Sequence, residues 1–181
     1  MIKMREKQQE RDALKQLIDQ TYLDKIVMIE VGSYAGESAD IFASTGKVKT
    51  LYCIDPWKSG YDSRDIASSS DFAEVESEFD RVAKKHGDII VKFKGTLEQF
   101  IEKNPEVKPD VIYIDACHTY EAVKQDIQNA MSLKPEFIGG HDYCDGWSGV
   151  KRAINERFGA PDKTFFDESW IVKTNFGKTE N

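Results

Sequence analysis

Cysteine is scarce in this chain: Cys53, Cys117 and Cys144 are the only three, an odd number with no Cys-x-x-Cys pair. That excludes a disulfide framework and a zinc ribbon, and it fits a reducing compartment. Long apolar runs are missing too. No stretch approaches the roughly 18 consecutive apolar residues of a membrane span, and the first residues, MIKMREKQQERD, are charged where a signal peptide would be apolar. The expectation is a cytoplasmic protein without membrane contact. Positive charge is in deficit, 25 Lys+Arg against 32 Asp+Glu for a formal charge of -7. Without a global basic field, no nucleic-acid partner is expected. Repeats and low-complexity tracts are absent, apart from a Ser/Asp/Gly-rich segment at residues 59–70.

What is present is an ordinary globular composition. The length, 181 residues, suits a single domain. The 40% hydrophobic content, with 12 glycines added, falls within the roughly 45–50% usual for such chains. Residues 5–20 are mostly charged, but Ala13, Leu14, Leu17 and Ile18 fall on one stripe. Residues 1–22 therefore read as an N-terminal surface helix whose stripe would suit a homodimer contact, and residues 23–181 as the α/β core.

Residues 25–31 (KIVMIEV) and 48–54 (VKTLYCI) are β-branched runs, ended by Gly32 and by Asp55-Pro56. Between them residues 37–44 put Ala39, Phe42 and Ala43 on one helical face, which makes a βαβ unit. The alternation continues, with helices predicted from residue 71 and over 96–103, 119–131 and 148–158. Strands are predicted over 89–93, 110–114, 137–138, 164–166 and 170–174. Right-handed crossovers of helix length specify an α/β fold, a doubly wound Rossmann-like sandwich with a mostly parallel seven-stranded sheet. Only Asp167, Glu168 and Ser169 separate the last two runs, so a hairpin and a final antiparallel strand are predicted. Residues 59–70 are the expected mobile loop.

Ligands of such sheets bind beyond the carboxyl ends of the strands. The first loop there, EVGSYAGES, holds Glu30, Gly32, Ser33, Tyr34, Gly36 and Ser38 and leaves backbone close to a ligand at a helix start. It is not the dinucleotide fingerprint, because Tyr34 and Glu37 stand at its second and third glycines and Tyr34 would crowd a pyrophosphate. A turn that merely joins strand to helix is the bland alternative. The second loop, YCIDPW, offers Asp55 to the hydroxyls of a ribose and Trp57 to the face of an adenine; Asp55 could instead only start an Asp-Pro turn. Gly95 and Thr96 follow the third strand.

Asp115 and Asp142 follow neighbouring strands and can share Mg²⁺. His118, three residues after Asp115, is a candidate general base, and His141 is a third metal ligand or a group behind the ligands. Two alternatives stand beside this reading. The aspartates can be helix caps with the histidines bonded in place, or Cys117, His118, His141 and Cys144 can form a zinc or iron quartet. His86, in a Lys/Gly context, reads as a solvated helix end.

The segments EVGSYAGESA, YCIDPW, FKGTLEQF, DVIYIDACHTYEAVKQDI and GGHDYCDGWSGVKRAINERFG resemble the class I S-adenosylmethionine-dependent methyltransferases. Within them the chain is similar to the methyltransferase domain 24 family, related to macrolide-sugar O-methyltransferases and cephalosporin hydroxylase-like proteins. The resemblance runs from about residue 26 to residue 158, and its most specific part is Asp-x-x-His-x-Tyr-Glu followed by His-Asp-Tyr. It implies that Glu30, Gly32, Ser33 and Gly36 surround the methionine moiety, that Asp55 holds the ribose and that Gly95-Thr96 edges the adenine. In metal-dependent relatives the acids matching Asp115 and Asp142 bind Mg²⁺ and the histidine matching His118 is the base.

Two departures stand out. The family usually has Gly-Asp where this chain has Ala116-Cys117, and Pro-Gly-Gly where it has Pro135-Glu136-Phe137. The second changes only a turn; the first alters groups beside the cofactor. The leading expectation is an S-adenosylmethionine-dependent O-methyltransferase acting on a small-molecule hydroxyl, such as that of a sugar, with Mg²⁺ assistance. A non-catalytic or regulatory nucleoside-binding domain of the same fold is the second, and an NAD-dependent oxidoreductase, disfavoured by Tyr34 and Glu37, the third. With no added domain, cover for the acceptor must come from residues 59–70, residues 143–149 or a partner subunit.

Overall fold

A computed structural model describes residues 8–176. Helix α1 (Gln8–Gln20) precedes β1 (Ile26–Val31), α2 (Glu37–Ala43), β2 (Val48–Asp55), α3 (Phe72–His86) and β3 (Ile90–Lys94). Then follow α4 (Leu97–Lys103), β4 (Val111–Ile114), α5 (Tyr120–Ser132), β5 (Phe137–Gly140), α6 (Ser148–Phe158), β6 (Lys163–Thr164) and β7 (Trp170–Lys173). The seven strands form one sheet in the order β3-β2-β1-β4-β5-β7-β6. Pairing is parallel from β3 to β5, whereas β7 runs antiparallel to both β5 and β6. The strand order reverses at β1, between β2 and β4.

Strand alternation divides the core between two faces. Ile26 and Met28 of β1 pack with Leu14, Leu17 and Ile18 of α1, Phe42 of α2 and Val75 and Phe79 of α3. Ile29 and Val31 face Leu97 and Phe100 of α4, Val123 and Ile127 of α5 and Ile154 of α6. Helix starts follow the sequence signals: Asp71 accepts from the backbone N–H of Ala73, and Thr96 and Gln99 form a reciprocal capping box on α4.

Several expectations need correction. Residues 5–7 of the predicted first helix lie outside the described residues. The stripe of α1 is spent inside the chain, since Ala13, Leu14, Leu17 and Ile18 are buried and α1 packs on α2, so it does not remain for a second copy. β5 is longer than predicted and includes Gly139 and Gly140, where a Cβ would strike Trp170 O and Ile114 O respectively; here glycine marks a tight approach of strands rather than a break. β6 stops at Thr164. His86 is not solvated: its side chain is 10% exposed and its Nε2 lies 2.6 Å from Asp40 Oδ1.

The close approach of β1 and β4 gives a test. A Cβ on Gly32 (φ +90°) would collide with the Asp115 carbonyl, whereas Gly46 (φ +74°) has open space around it. Gly46→Ala should cost about 1–2 kcal/mol, the left-handed strain alone, and Gly32→Ala at least about 4 kcal/mol, from strain plus a backbone clash. Urea denaturation of the two variants measures the difference.

Candidate active site

The carboxyl ends of β1, β4 and β5 open into a cavity of about 620 Å³. Its floor begins with the loop after β1, where Gly32, Tyr34 and Gly36 all have positive φ. A tyrosine in that region needs support, and Asp55 and Trp57 supply it from below. Asp55 Oδ2 accepts from Tyr34 N at 2.9 Å, its Oδ1 accepts from Trp57 N at 2.6 Å, and Trp57 Nε1 donates to Tyr34 O at 2.9 Å. Tyr34 Oη then meets Ser70 Oγ at 2.7 Å.

Each sequence-derived candidate can be placed. Gly32, Ser33, Tyr34, Ser38, Asp115, His118, His141 and Asp142 line the cavity; Gly36 lies beneath, against Phe79 and Val82. Asp55 and Trp57 do not line it. The Trp57 indole is 5% exposed and packs on Phe79, 4.8 Å between centroids, so it is not placed to cover an adenine. Asp55 accepts through one oxygen from Tyr34 N and through the other from Trp57 N, and burial pushes its pKa up. Gly95 and Thr96 also lie outside the cavity lining, Gly95 N bonding to Asp55 O and Thr96 capping α4.

Glu30 is fully buried on the α1–α3 face. The Ser33 and Ser38 hydroxyls and the Cys53 thiol are beside it, yet neither of its oxygens nor Ser33 Oγ completes a well-formed hydrogen bond. Burial, with the Asp115 charge adding to it, raises the Glu30 pKa to about 7.

Asp115, His118 and Asp142 form the chemical centre, each offering an atom within 4.8 Å of the others. His118 Nε2 lies 2.9 Å from Asp142 Oδ2 and 4.0 Å from Asp115 Oδ1. Burial disfavours the imidazolium, but the bond to Asp142 and the charges of Asp115 and Asp142 outweigh it, so the His118 pKa is raised. Burial likewise opposes ionisation of Asp142, and the bonds from His118 and His141 override it, holding this carboxyl well below its ordinary range. The third group of the cluster is thus His118 and not His141, which turns Nδ1 to Asp142 Oδ1 (3.2 Å) and Nε2 toward Asp167 Oδ2 (3.9 Å). The Cys/His quartet does not assemble: Cys117 Sγ contacts Tyr61 O and Thr119 Oγ1, and the acid–histidine cluster is the single metal-capable group among the described residues.

Sequence reasoning predicted the hairpin between β6 and β7 and named residues 59–70 and 143–149 as cover, but it did not single out Asp62 or Trp147 or bring the hairpin to the cavity. Trp147 stacks on His118 at 4.2 Å and 28°, while Phe166, Asp167 and Glu168 form one wall. An aromatic just before a predicted helix was the only signal, and Asp62 had none. Residues 59–70, expected as a mobile loop, form a strap bonded at both ends of the site. Asp62 Oδ2 accepts from His118 N at 3.2 Å, and Arg64 donates to Gly146 O at 3.0 Å.

The methyltransferase-domain family model matches residues 29–143. The chain belongs to that family. It is a class I S-adenosylmethionine-dependent methyltransferase. No curated protein matches it in sequence. Among solved structures, a cofactor-bound protein from MTB superposes with a TM-score of 0.64 at 12% identity, covering 96% of this chain and 83% of the other. An O-methyltransferase from Bacillus cereus in complex with SAH gives 0.61 at 13%, covering 96% and 84%. The Streptomyces achromogenes O-methyltransferase of tomaymycin synthesis, in complex with SAM, gives 0.54 at 12%, covering 94% and 92%. At these identities the likeness is one of fold.

The methyltransferase carries a measurable mark of Glu30. Its pKa rises from 4.5 to about 7 on folding, so the folded state binds more protons between those values and stability falls as pH rises through that window. Glu30→Gln should lose this dependence. Its stability relative to the parent should improve by about 2–3 kcal/mol between about pH 4 and about pH 8, as read by urea denaturation at both ends.

Proposed function

We propose that this methyltransferase moves the methyl group of S-adenosylmethionine to a hydroxyl oxygen of a small polar acceptor such as a sugar, with His118 as the base. The observation that carries the proposal is the position of His118, on the cavity wall between Asp115 and Asp142 and beside the Gly32–Gly36 loop.

The cavity suits the donor because backbone at Gly32 is bare where the cavity begins. Ser33, Tyr34, Ser38 and Asp115 would hold it, and Glu30 would support the loop from beneath. Bound S-adenosylmethionine supplies an activated methyl on a sulfonium, so the protein's work is alignment and removal of one proton. His118 would take that proton, its raised pKa favouring acceptance, and the Trp147 ring would hold the imidazole plane. Asp115 and Asp142 offer the hard oxygen atoms that Mg²⁺ prefers. Bound there, the ion would lower the pKa of an acceptor hydroxyl.

Charge narrows the acceptor. Beyond Asp115 and Asp142, the carboxylates of Glu10, Glu37, Asp65, Asp167 and Glu168 line the cavity, and among the described residues no Lys or Arg does. Anionic acceptors are repelled, and neutral polyols or amine-bearing sugars are favoured. In an acceptor panel, neutral and amino sugars should be methylated and their phosphorylated forms should not; preference for the phosphorylated forms would sink the charge argument.

Calorimetric titration with S-adenosylhomocysteine, in Mg²⁺ and in chelator, should show binding under both conditions, with NAD⁺ giving none. Binding of NAD⁺ alone would overturn the reading. His118→Ala should keep that affinity while turnover falls about a hundredfold or more, and unchanged turnover would remove His118 from the chemistry.

A further inference from the structure

We propose that Phe166, at the corner of the hairpin between β6 and β7, is the platform of the acceptor subsite. Its ring takes the apolar C–H face of a saturated sugar ring, whose hydroxyl or amino groups meet the carboxylates of the cavity. The proposal rests on the reading of the chain as a methyltransferase of small-molecule hydroxyls and adds what holds the acceptor.

Among the described residues the large hydrophobic side chains left exposed are Tyr22, Ile66, Val91, Phe166 and Phe176, and of these Phe166 alone lines the cavity. It is 67% exposed, yet the turn that carries it is firmly held. Glu168 N donates to Phe165 O at 3.1 Å and Phe165 N donates to Ser169 O at 2.8 Å, which puts Phe166 at the first corner of a tight turn. From within, Asp167 accepts from Ser169 N at 3.1 Å and from Ser169 Oγ at 2.9 Å, and Ser169 Oγ meets Tyr113 Oη at 3.1 Å. Tyr143 N donates to Glu168 O at 3.0 Å and ties the turn to the loop after β5. An apolar ring left in water on a fixed backbone is ready to bury its surface against a ligand, with little ordering left to do.

The other aromatic rings of the lining are engaged. Trp147 stacks on His118 and carries Arg64 at 5.1 Å, while Tyr34 and Tyr61 meet Phe72 edge-on and bond through their hydroxyls to Ser70 and Asp65. A flat aromatic acceptor would therefore find one ring to lie on rather than a pair to enter between. It would also bring few donors to a cavity lined by Glu37, Asp65 and Glu168, and a carboxylate that loses its water to such a ligand is left unpaired. A saturated ring with several hydroxyls answers both demands, with a C–H face for Phe166 and an edge rich in donors. An amino group on that edge would pair with Glu168, two residues on from the platform.

Saturation-transfer difference NMR on the full chain with S-adenosylhomocysteine present tests this. The probes are methyl glycosides and amino glycosides of hexoses and pentoses, with catechol as the flat aromatic control. Glycosides should bind, with transfer strongest to the C–H protons of one ring face, and catechol should not. Phe166→Ala should weaken glycoside binding about tenfold, and Phe166→Tyr should retain it. Ile66→Ala, which removes an apolar side chain 88% exposed but outside the cavity lining, should leave it unchanged. Glu168→Gln should weaken the amino glycosides and spare the neutral ones. Calorimetric titration should give all four variants the parent's affinity for S-adenosylhomocysteine. Catechol binding in place of glycosides, no glycoside binding at all, or binding undiminished in Phe166→Ala would each overturn the proposal. The O-methylation reading fails separately: a glycoside that binds on Phe166 but is not methylated by S-adenosylmethionine would sink that reading and leave the platform standing.

Discussion

The site depends on how closely the carboxyl ends of β1 and β4 approach. Gly32 N donates to Ile54 O at 2.8 Å, Asp115 N donates to Val31 O at 2.8 Å, and His141 N donates to Ile114 O at 3.1 Å. This lacing runs across four adjacent strands and continues the sheet past its last regular pairs. It is possible only because residue 32 has no side chain, for a Cβ would occupy the place of the Asp115 carbonyl. With that contact made, the glycine loop, Asp115, His118 and Asp142 are set beside one another on rigid elements. The loops that cover them then need only to close.

Electrostatics follows from the same crowding. Ionisable groups are brought together in a partly dry cavity, so each settles according to its neighbours. Glu30, without an opposite charge, is driven toward its neutral form. Asp142, held between two imidazoles, is driven toward its charged form, and His118 follows it. One acid is thus a buried, largely neutral group beneath the loop, and the other a carboxylate paired with imidazoles. Part of the acid excess seen in composition lines the cavity, whereas many acids on the outer surface pair with lysine or arginine, as Glu76 does with Lys92 and Lys94.

Much of this was legible. The period of the apolar residues places the six α-helices and seven strands of the described residues, with errors of a few residues where glycine or an exposed hairpin hides a strand. Asp115, His118 and Asp142 could be named because each directly follows a strand, and strand ends converge in this architecture. The same rule put Asp55, Trp57, Gly95 and Thr96 at strand ends but not in the cavity lining. They also follow strands, but their side chains turn to backbone, to Phe79 or to a helix cap, and position after a strand does not fix the direction of a rotamer. The α1 stripe failed for another reason, since a helix that packs on its own sheet and one that packs on a second copy carry the same pattern.

The sequence by itself determined the fold class, the family and the group of acids and histidines at the strand ends, because these rest on local periodicity and on motifs that each lie within a few residues. Tertiary structure alone decided that His118 and not His141 completes the cluster. It also decided that Trp147 stacks on His118 and that Asp62 accepts from the His118 backbone N–H from 56 residues away in sequence. Those contacts arise from loop paths and ring orientations set by the packing of the whole sheet, for which no spacing along the chain exists to be read.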